Sequence, residues 1–481
     1  MPETALVWMR RDLRLTDNPA LTEALAACER VIPVFIHAPD EESPWQPGGA
    51  SRWWLHHSLT ALDKALSALG SRLIIAEGES LTTLCELVRT TGASRCLWNR
   101  LYDPATVERD TKIKQALRAD GVRCDSFNAA MMLEPWQVKT GAGQPYRVFS
   151  PYWRRCVPQL ADIGAPLAVP SALPAVDDDI RSLPIDALGL LPSIPWDQGL
   201  RETWQPGEAG AAERLNRFIQ GPITDYGEGR EYPAQPGTSA LSPHLHWGEI
   251  GPRQILHAIR QHGLDNNADA ALYVHELGWR DFSYQMLYHF PHTPLTPLDP
   301  KFADFPWRDD PDGRLLRAWR RGRTGIPIVD AGMRELWYKG WMHNRVRMIV
   351  SSLLTKNLRL PWQQGAGWFW DTLVDADLAS NTQGWQWSAG SGADAAPYFR
   401  IFNPVRQGER FDPKGVYVRR WCPELARLPD NLIHQPWEAK PALLEQLEFR
   451  LGRDYPAPVV DLKQSRADAL AAFERLKQSP A

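Results

Sequence analysis

The sequence predicts an α/β N-terminal domain on a parallel sheet, followed by an all-helical C-terminal domain. Three observations predict it. Strands and helices alternate through about the first 130 residues, a proline-rich stretch follows, and after position 211 only helical spacing of apolar residues remains.

Residues 5–9, 31–37, 72–76, 95–99 and 122–127 are short apolar runs bounded by turn residues, the pattern of strands. Between them, 51–69, 80–90 and 104–120 carry apolar residues at helical spacing. Pro104 opens the last of these where a first-turn proline is tolerated. Alternation of this kind calls for parallel strands with helices on both faces. The sheet is Rossmann-like, but no GxGxxG follows its first strand, which argues against an ordinary dinucleotide-binding turn. From 158 to 206, eight prolines and little periodicity mark a connecting segment. We set the domain limits at 1–130, a linker at 131–210, and 211–481. In the last part, 211–220, 252–262, 268–289, 313–321, 328–339, 345–356 and 365–372 read as helices. No internal repeat or low-complexity tract interrupts them.

Hydrophobic residues make up 43% and charged residues 23% of the 481, the balance of a globular chain with a large core. No run reaches about 18 apolar residues, so no membrane span is expected. The first residues read as a strand and a charged loop rather than a signal peptide. Cys28, Cys85, Cys96, Cys124, Cys156 and Cys422 are scattered without a CxxC. That fits a reducing cytoplasm and argues against a disulfide framework or a four-cysteine metal or iron–sulfur site. His244 and His246 read as structural, and no metal is expected.

The net charge is −3, yet residues 301–360 hold 13 Lys/Arg against 6 Asp/Glu. Such an excess is either a solvated face or a surface for phosphates. The 22 tryptophans, most of them beyond position 190, make either a large aromatic core or a route for electrons, tryptophan being the most easily oxidised side chain.

Three segments of the helical part carry candidate chemistry. DYGEGREYPAQPGTSALSP, residues 225–243, offers backbone N–H groups and hydroxyls suited to a phosphate, or makes a plain Pro/Gly loop with a helix cap. WMHNRVRM, residues 341–348, places Asn344 and Met348 on one helical face with Arg345 and Arg347 on others. That suits phosphate contacts beside an apolar surface for a base, or a surface helix edge. DADLASNTQGWQW, residues 375–387, has too many polar groups for plain core and no histidine to complete a metal site.

Together with LVWMRRDLRLTDNPAL, HELGWRDFSYQ, TGIPIVDAGMRELWYKG and YFRIFNPVRQGERF, these segments resemble the photolyase/cryptochrome family from Leu6 to about Phe473, in order and in spacing. The resemblance implies an N-terminal α/β domain, a long linker and a helical domain holding FAD. It implies that Tyr226, Thr238, Ser239, Ala240, Leu241 and Ser242 meet the FAD phosphates and ribityl chain. Glu276, Trp279, Arg280 and Arg347 would line the flavin cavity, with Asp375, Ala376, Asp377 and Asn381 opposite, and Arg347 would pair with Asp375. Arg230, Glu276, Trp279, Asn344, Arg345, Met348, Trp387 and Gln407 would meet damaged DNA and its flipped lesion. Trp307, Trp362 and Trp385 match the family's electron relay. The activity implied is light-driven reversal of cyclobutane pyrimidine dimers. One electron from excited reduced FAD weakens the ring bonds, and the protein supplies position, electrostatics and dryness. A dimer stacks poorly, so flipping it costs less than flipping a normal base.

A cryptochrome-type blue-light photosensor is the alternative. Repair is favoured by Asn381, where plant sensors of the family carry Asp and animal sensors Cys. It is also favoured by Asn344 with Met348, and by the lack of a long tail beyond Ala481. A light-independent flavin redox enzyme would need neither the basic region nor the spaced tryptophans. Ala105 and Thr106 stand where the family's folate pocket has an Asn-Glu pair. The second chromophore therefore stays open between methenyltetrahydrofolate, a deazaflavin, a second flavin and none. A cytoplasmic monomer without an obligate protein partner is expected.

Overall fold

Residues 3–478 are described by a computed structural model. The chain forms two compact units. The first comprises Met1–Thr224, Ser239–Pro291 and Val374–Ala379, and the second Asp225–Thr238, His292–Leu373 and Ser380–Ala481.

In the first unit, β1 (Thr4–Met9), β2 (Arg30–His37), β3 (Ile74–Glu77), β4 (Arg95–Asn99) and β5 (Arg123–Phe127) form one parallel sheet in the order β3-β2-β1-β4-β5. Ala5 pairs with Val31 on one side and with Arg95 on the other. Every residue of β1 is buried, because helices α1 (Pro19–Ala27), α2 (Gly49–Ala68), α3 (Ser80–Thr91) and α4 (Pro104–Ala119) connect the strands and a parallel sheet is covered on both faces. Leu6 and Trp8 pack with Ile32, Val34, Cys96 and Trp98 in this core.

Sequence spacing missed α1. It has nine residues and starts at a cap rather than on a stripe: Asn18 accepts from the Leu21 N–H, and Pro19 fills the first turn. The third strand starts two residues later than expected. The Leu73 N–H is taken by Asp63, so the ladder begins at Ile74, and the Arg72 side chain before it donates to the carbonyls of Asp177 and Ile180.

The order of the strands reverses between β1 and β4, where an open α/β sheet leaves a crevice at the strand ends. Here the crevice carries the protein's own side chains. Arg10 is buried, donates to Asp110 at 2.5 Å and to the Asn99 carbonyl, and lies 4.4 Å from the Trp8 ring centroid. Arg109 approaches the same ring at 4.8 Å.

The segment read as a linker is tied down along the first unit. Leu167 N–H donates to Asp17, Leu173 N–H to the Leu69 carbonyl, and Leu183 N–H to the Ile75 carbonyl. It contains the short helices Phe149–Cys156 and Gln198–Thr203. Helices Glu208–Ile219, Pro252–Gln261 and Ala268–His289 complete this unit. The last has 22 residues and is capped by Asn267, which accepts from the Ala270 N–H.

The second unit is helical. Arg314–Arg320, Pro327–Lys339, Asn344–Ser352 and Trp362–Thr372 lie where the spacing placed helices, and Pro404–Phe411, Val416–Trp421 and Leu462–Gln478 add to them. The helix expected over 345–356 ends as an α-helix at Ser352 and widens into a π turn, Leu353–Asn357. Thr355 donates back to the Ser351 carbonyl at 2.8 Å, a bond that bends helices. Lys356 is drawn inward to the Ala389 carbonyl at 2.9 Å.

Candidate active site and nucleic-acid interface

The candidate residues fall in both units, and each set is built on its own elements. In the first unit, helix Ala268–His289 presents Glu276, Trp279 and Arg280. Glu276 and Trp279 are three apart and share a face. The Glu276 side chain is 29% exposed, with His275 Nδ1 at 3.5 Å from its Oε1. The Trp279 ring stacks on Phe149, with centroids 3.8 Å apart and planes at 10°. The result is an acid beside a flat aromatic wall.

Arg280 is held from several directions. It donates to the Ala130 carbonyl at 2.6 Å, and its guanidinium lies 5.0 Å from the Tyr284 ring centroid. Next to it, Asp281 is buried and accepts from the N–H groups of Met132 and Leu133, both at 3.0 Å. Burial pushes its pKa up to about 7, against the lowering effects of Arg280 and the two N–H donors.

Asp375, Ala376 and Asp377 are all buried in the strip Val374–Ala379. The Tyr284 hydroxyl donates to Asp377, and His246 Nδ1 lies 3.7 Å from the same carboxylate. Burial alone would raise the Asp377 pKa. The neighbouring His246 ring, the charge of Arg280 and the Tyr284 hydroxyl hold it below the usual carboxylate range. The result is a dry, ionised carboxylate. In the turn Ser239–Ser242, Ala240 has a φ of 50°, Ser239 Oγ accepts from Tyr273 at 3.0 Å and from the Leu241 N–H at 3.3 Å, and Leu241 is buried.

In the second unit, Tyr226 is buried under Arg230, whose guanidinium lies 5.1 Å from its ring centroid. Gly229 and Gly237 bring two backbones together. A β-carbon on Gly237 would meet the Gly229 carbonyl oxygen at 2.2 Å, which explains the glycine just before Thr238.

Helix Asn344–Ser352 starts at His343, whose Nδ1 accepts from the Arg345 N–H at 3.2 Å. Burial, then the charges of Arg345, Arg347 and Arg230, lower the His343 pKa to about 4, so this cap is neutral. Asn344 is exposed and Met348 half-buried on the same side. Arg345 is already occupied: it pairs with Glu231, lies 4.4 Å from the Phe411 ring centroid, and has Met348 Sδ at 3.9 Å from NH1. Arg347 donates to the Met342 carbonyl at 2.8 Å.

Asn381 donates through its amide to the Ala366 carbonyl at 3.1 Å, which fixes the direction of its own carbonyl oxygen. Trp387 is half-buried and stacked on Phe402 at 6.5 Å, and Gln407 is half-buried on helix Pro404–Phe411.

Of the relay candidates, Trp362 and Trp385 are buried and Trp307 is half-buried. The Trp385 ring meets Phe369 at 5.0 Å and Trp319 at 6.0 Å, while that of Trp307 meets Phe305 at 4.5 Å. Ring contacts therefore run from these tryptophans to neighbours the sequence reading did not name. Phe149, Asp281, Tyr284, Glu231 and Trp319 were likewise missed, and His246 was read only as structural. Of these only Asp281 had a visible signal, an acid placed directly after Arg280.

Among the described residues no cluster of histidine, cysteine and acidic side chains is arranged to hold a metal, and no helix is long and apolar enough to cross a membrane.

Comparison with known proteins agrees along the whole chain. Residues 5–174 match the family described as DNA photolyase, and residues 273–475 match that described as the FAD binding domain of DNA photolyase. The chain is 46% identical over 478 residues to a deoxyribodipyrimidine photo-lyase of Agrobacterium fabrum, covering 98% of each. It is 40% identical over 485 residues to cryptochrome-1 of Arabidopsis thaliana, covering 98% of this chain and 70% of that one. A crystal structure of a bacterial class III photolyase from Agrobacterium tumefaciens superposes with a TM-score of 0.94 at 46% identity, covering 100% of this chain and 98% of that one. The parallel five-stranded sheet, the helical remainder and the two family matches place this chain in the photolyase/cryptochrome family, with the FAD-binding domain of the DNA photolyases.

Proposed function

We propose that this chain is a deoxyribodipyrimidine photo-lyase, which reverts cyclobutane pyrimidine dimers in damaged DNA with light and reduced FAD. The observation that carries the reading is the pairing of Glu276 with Trp279. A half-buried carboxyl stands one turn from an indole already stacked at 3.8 Å, so a splayed pyrimidine pair can lie against the indole and hydrogen-bond the acid. Asn344 and Met348 supply a second polar and apolar pair for the lesion. Arg230 and Arg345 supply charge for phosphates, and Trp387 and Gln407 flank the DNA.

The residues fit FAD by their chemistry. Asp377 is dry and ionised, Arg280 is fixed at its base, and Asn381 presents a carbonyl oxygen of set direction, a donor and acceptor set for the polar edge of a flavin ring. In this reading Asp375, Ala376 and Asp377 line one side of the ring, and Arg347, paired with Asp375, faces its charge. Tyr226, Thr238, Ser239, Ala240, Leu241 and Ser242 hold the phosphates and ribityl chain. The bound group supplies one electron from its light-excited reduced form. The chain positions both reactants, excludes water, and through Glu276 holds a hydrogen bond on the pyrimidine that takes the charge. Trp385, Trp362 and Trp307 carry electrons inward when the cofactor must be reduced. An amide at Asn381 has no acidic proton to give, which supports repair over the photosensor reading.

The same proposal treats 1–130 as an α/β domain, 131–210 as a linker and 211–481 as the helical part. It has the protein working as a cytoplasmic monomer with free thiols.

The test is an oligonucleotide with one thymine dimer, incubated with chemically reduced holoprotein under blue light and in the dark. Light-dependent recovery of intact thymines supports the proposal. Lesion binding without recovery in light would sink it and leave the photosensor.

A further inference from the structure

The arginine excess in 301–360 is not centred on the helix that carries Asn344 and Arg345. It is concentrated in RLLRAWRRGR, residues 314–323, where five of ten residues are arginine and none is acidic. These residues form helix Arg314–Arg320 and the turn after it. Arg314, Arg317, Arg321 and Arg323 are exposed, and none of the four makes an ion pair among the described residues. The nearby Asp310 is committed elsewhere, since its carboxylate accepts from the N–H groups of Leu315 and Leu316 at the start of the helix.

Beside the arginines stands an aromatic ladder. The Arg320 guanidinium lies 5.0 Å from the Trp368 ring centroid, with Asp371 as the acid that faces it. Trp368 is parallel to Trp337, at 6.0 Å and 6°. Trp337 ends the ladder and is 53% exposed. One turn before it, Arg334 donates to the Gly322 carbonyl at 3.1 Å, which joins the arginine turn to the tryptophan face. An exposed indole beside unpaired arginines combines an aromatic face with positive charge. Unpaired arginines condense phosphates, and an open indole face receives a nucleobase.

We propose that this surface is a second nucleic-acid contact, made of residues separate from the lesion-binding set. Arg314, Arg317, Arg321 and Arg323 hold the phosphates of a strand, and Trp337 stacks on an unpaired base. The inference rests on DNA being the substrate, but not on the identity of the lesion. An acidic protein would satisfy the arginines equally well. The flat Arg320–Trp368–Trp337 ladder is what favours a base.

The test is the anisotropy of a labelled, undamaged oligothymidylate titrated with FAD-loaded protein across a range of salt. Replacing all four exposed arginines with glutamine should lower the slope of log K against log salt by about three, at roughly 0.7 per single-strand phosphate. Trp337→Ala should lower affinity about tenfold at every salt concentration. Both variants should repair a bare dimer dinucleotide at the parent rate, because that substrate has no flanking strand for a second contact to hold. Asn344→Ala should do the converse, keeping the oligothymidylate slope while losing preference for damage. Should the quadruple variant lose FAD, Arg321→Gln with Arg323→Gln should give about half the change in slope. An unchanged slope, or an unchanged affinity in Trp337→Ala, overturns the proposal. Polyglutamate competing as well as oligothymidylate overturns it in favour of an acidic protein partner. Failure of dimer repair in the parent protein, with the oligothymidylate results intact, would overturn the repair reading alone.

Discussion

Gly365 leaves the room that the Trp385 indole fills. A β-carbon at Gly365 would meet Trp385 Cη2 at 2.1 Å and Leu354 Cδ2 at 2.6 Å. Neither neighbour can retreat, because Trp385 is packed against Phe369 and Trp319. Gly365→Ala should therefore cost about 1–3 kcal/mol of stability through overpacking. It should also displace the indole expected nearest the flavin. Urea unfolding would read the first effect and the rate of light-driven FAD reduction the second. A variant with parent stability and parent rate would mean that the site is looser than the geometry says.

Trp362 is buried and lies three residues before Gly365 on the same helix, one turn from the position that meets Trp385. Trp362→Phe keeps most of the buried volume but is much harder to oxidise. FAD content and folding should stay close to the parent, and reduction of oxidised FAD by light should slow at least tenfold. Repair by chemically reduced protein should be unaffected. Trp319→Phe is the companion measurement, because the Trp319 ring meets that of Trp385 at 6.0 Å. If that variant is slow while Trp362→Phe is not, electrons enter by the other neighbour.

His343 makes acid stability a property of helix Asn344–Ser352. Its pKa is lowered to about 4 in the folded chain, against roughly 6.5 when unfolded. The unfolded chain therefore takes up the proton first. Stability should fall as pH drops from about 6.5 to about 4, and the full loss should be present below that. Asn at this position can still accept from the Arg345 N–H but does not titrate. His343→Asn should flatten the dependence of Tm on pH across that window and leave DNA affinity at pH 7.5 within about twofold. His343→Ala should weaken DNA binding through the lost cap. A parallel acid profile in His343→Asn and the parent would remove His343 as the cause.

Asp281 gives the opposite slope. Its folded pKa is raised to about 7 by burial, so the folded state holds the proton that the unfolded state gives up near pH 4. Stability contributed by this site is present at low pH and should decline between about pH 4 and pH 7. Asp281→Asn keeps an acceptor for Met132 and Leu133 and removes the titration. Relative to the parent, its Tm should rise through that window. A constant difference across pH would show that Asp281 does not titrate there.

Arg345 is shared between Glu231 and Phe411, and in the proposed reading it must leave part of that contact to meet DNA. Glu231→Gln should free the guanidinium and tighten binding to undamaged DNA a few-fold at low salt, an effect screened at higher salt. Arg345→Ala should weaken binding to damaged and undamaged DNA alike. Equal affinities for Glu231→Gln and the parent at low salt would mean that the pair opens at no cost.

Much of this was legible in the sequence where local signals agree. The long helix Ala268–His289 appears with the limits its spacing gives, because a cap residue, Asn267, precedes many turns of pattern. The strand at Arg95–Asn99 is bounded equally well. What could not be read depends on distant partners. The ladder of the third strand begins only at Ile74, because the Leu73 N–H goes to Asp63 on the preceding helix. The break after Ser352 needs Ala389 to draw in Lys356. In the site, the motif positions of Glu276, Trp279 and Arg280 were visible, and the Phe149 ring that completes the aromatic wall was not, since nothing in FSPYWRRC announces a stack. Spacing revealed which side chains could act together, and long-range packing decides which of them are already engaged.

The two units are threaded through one another in sequence, and that sets an order of assembly during synthesis. All five strands have been made once Phe127 emerges, but the first unit still awaits Ser239–Pro291 and then the six residues Val374–Ala379. Those six bring Asp375 and Asp377, the last pieces of that unit to leave the ribosome. A nascent chain shorter than this cannot hold the flavin as proposed. Cofactor loading then becomes a late event of synthesis that waits for Val374–Ala379, and nonsense or truncated products ending before Val374 should be colourless and short-lived rather than partly active.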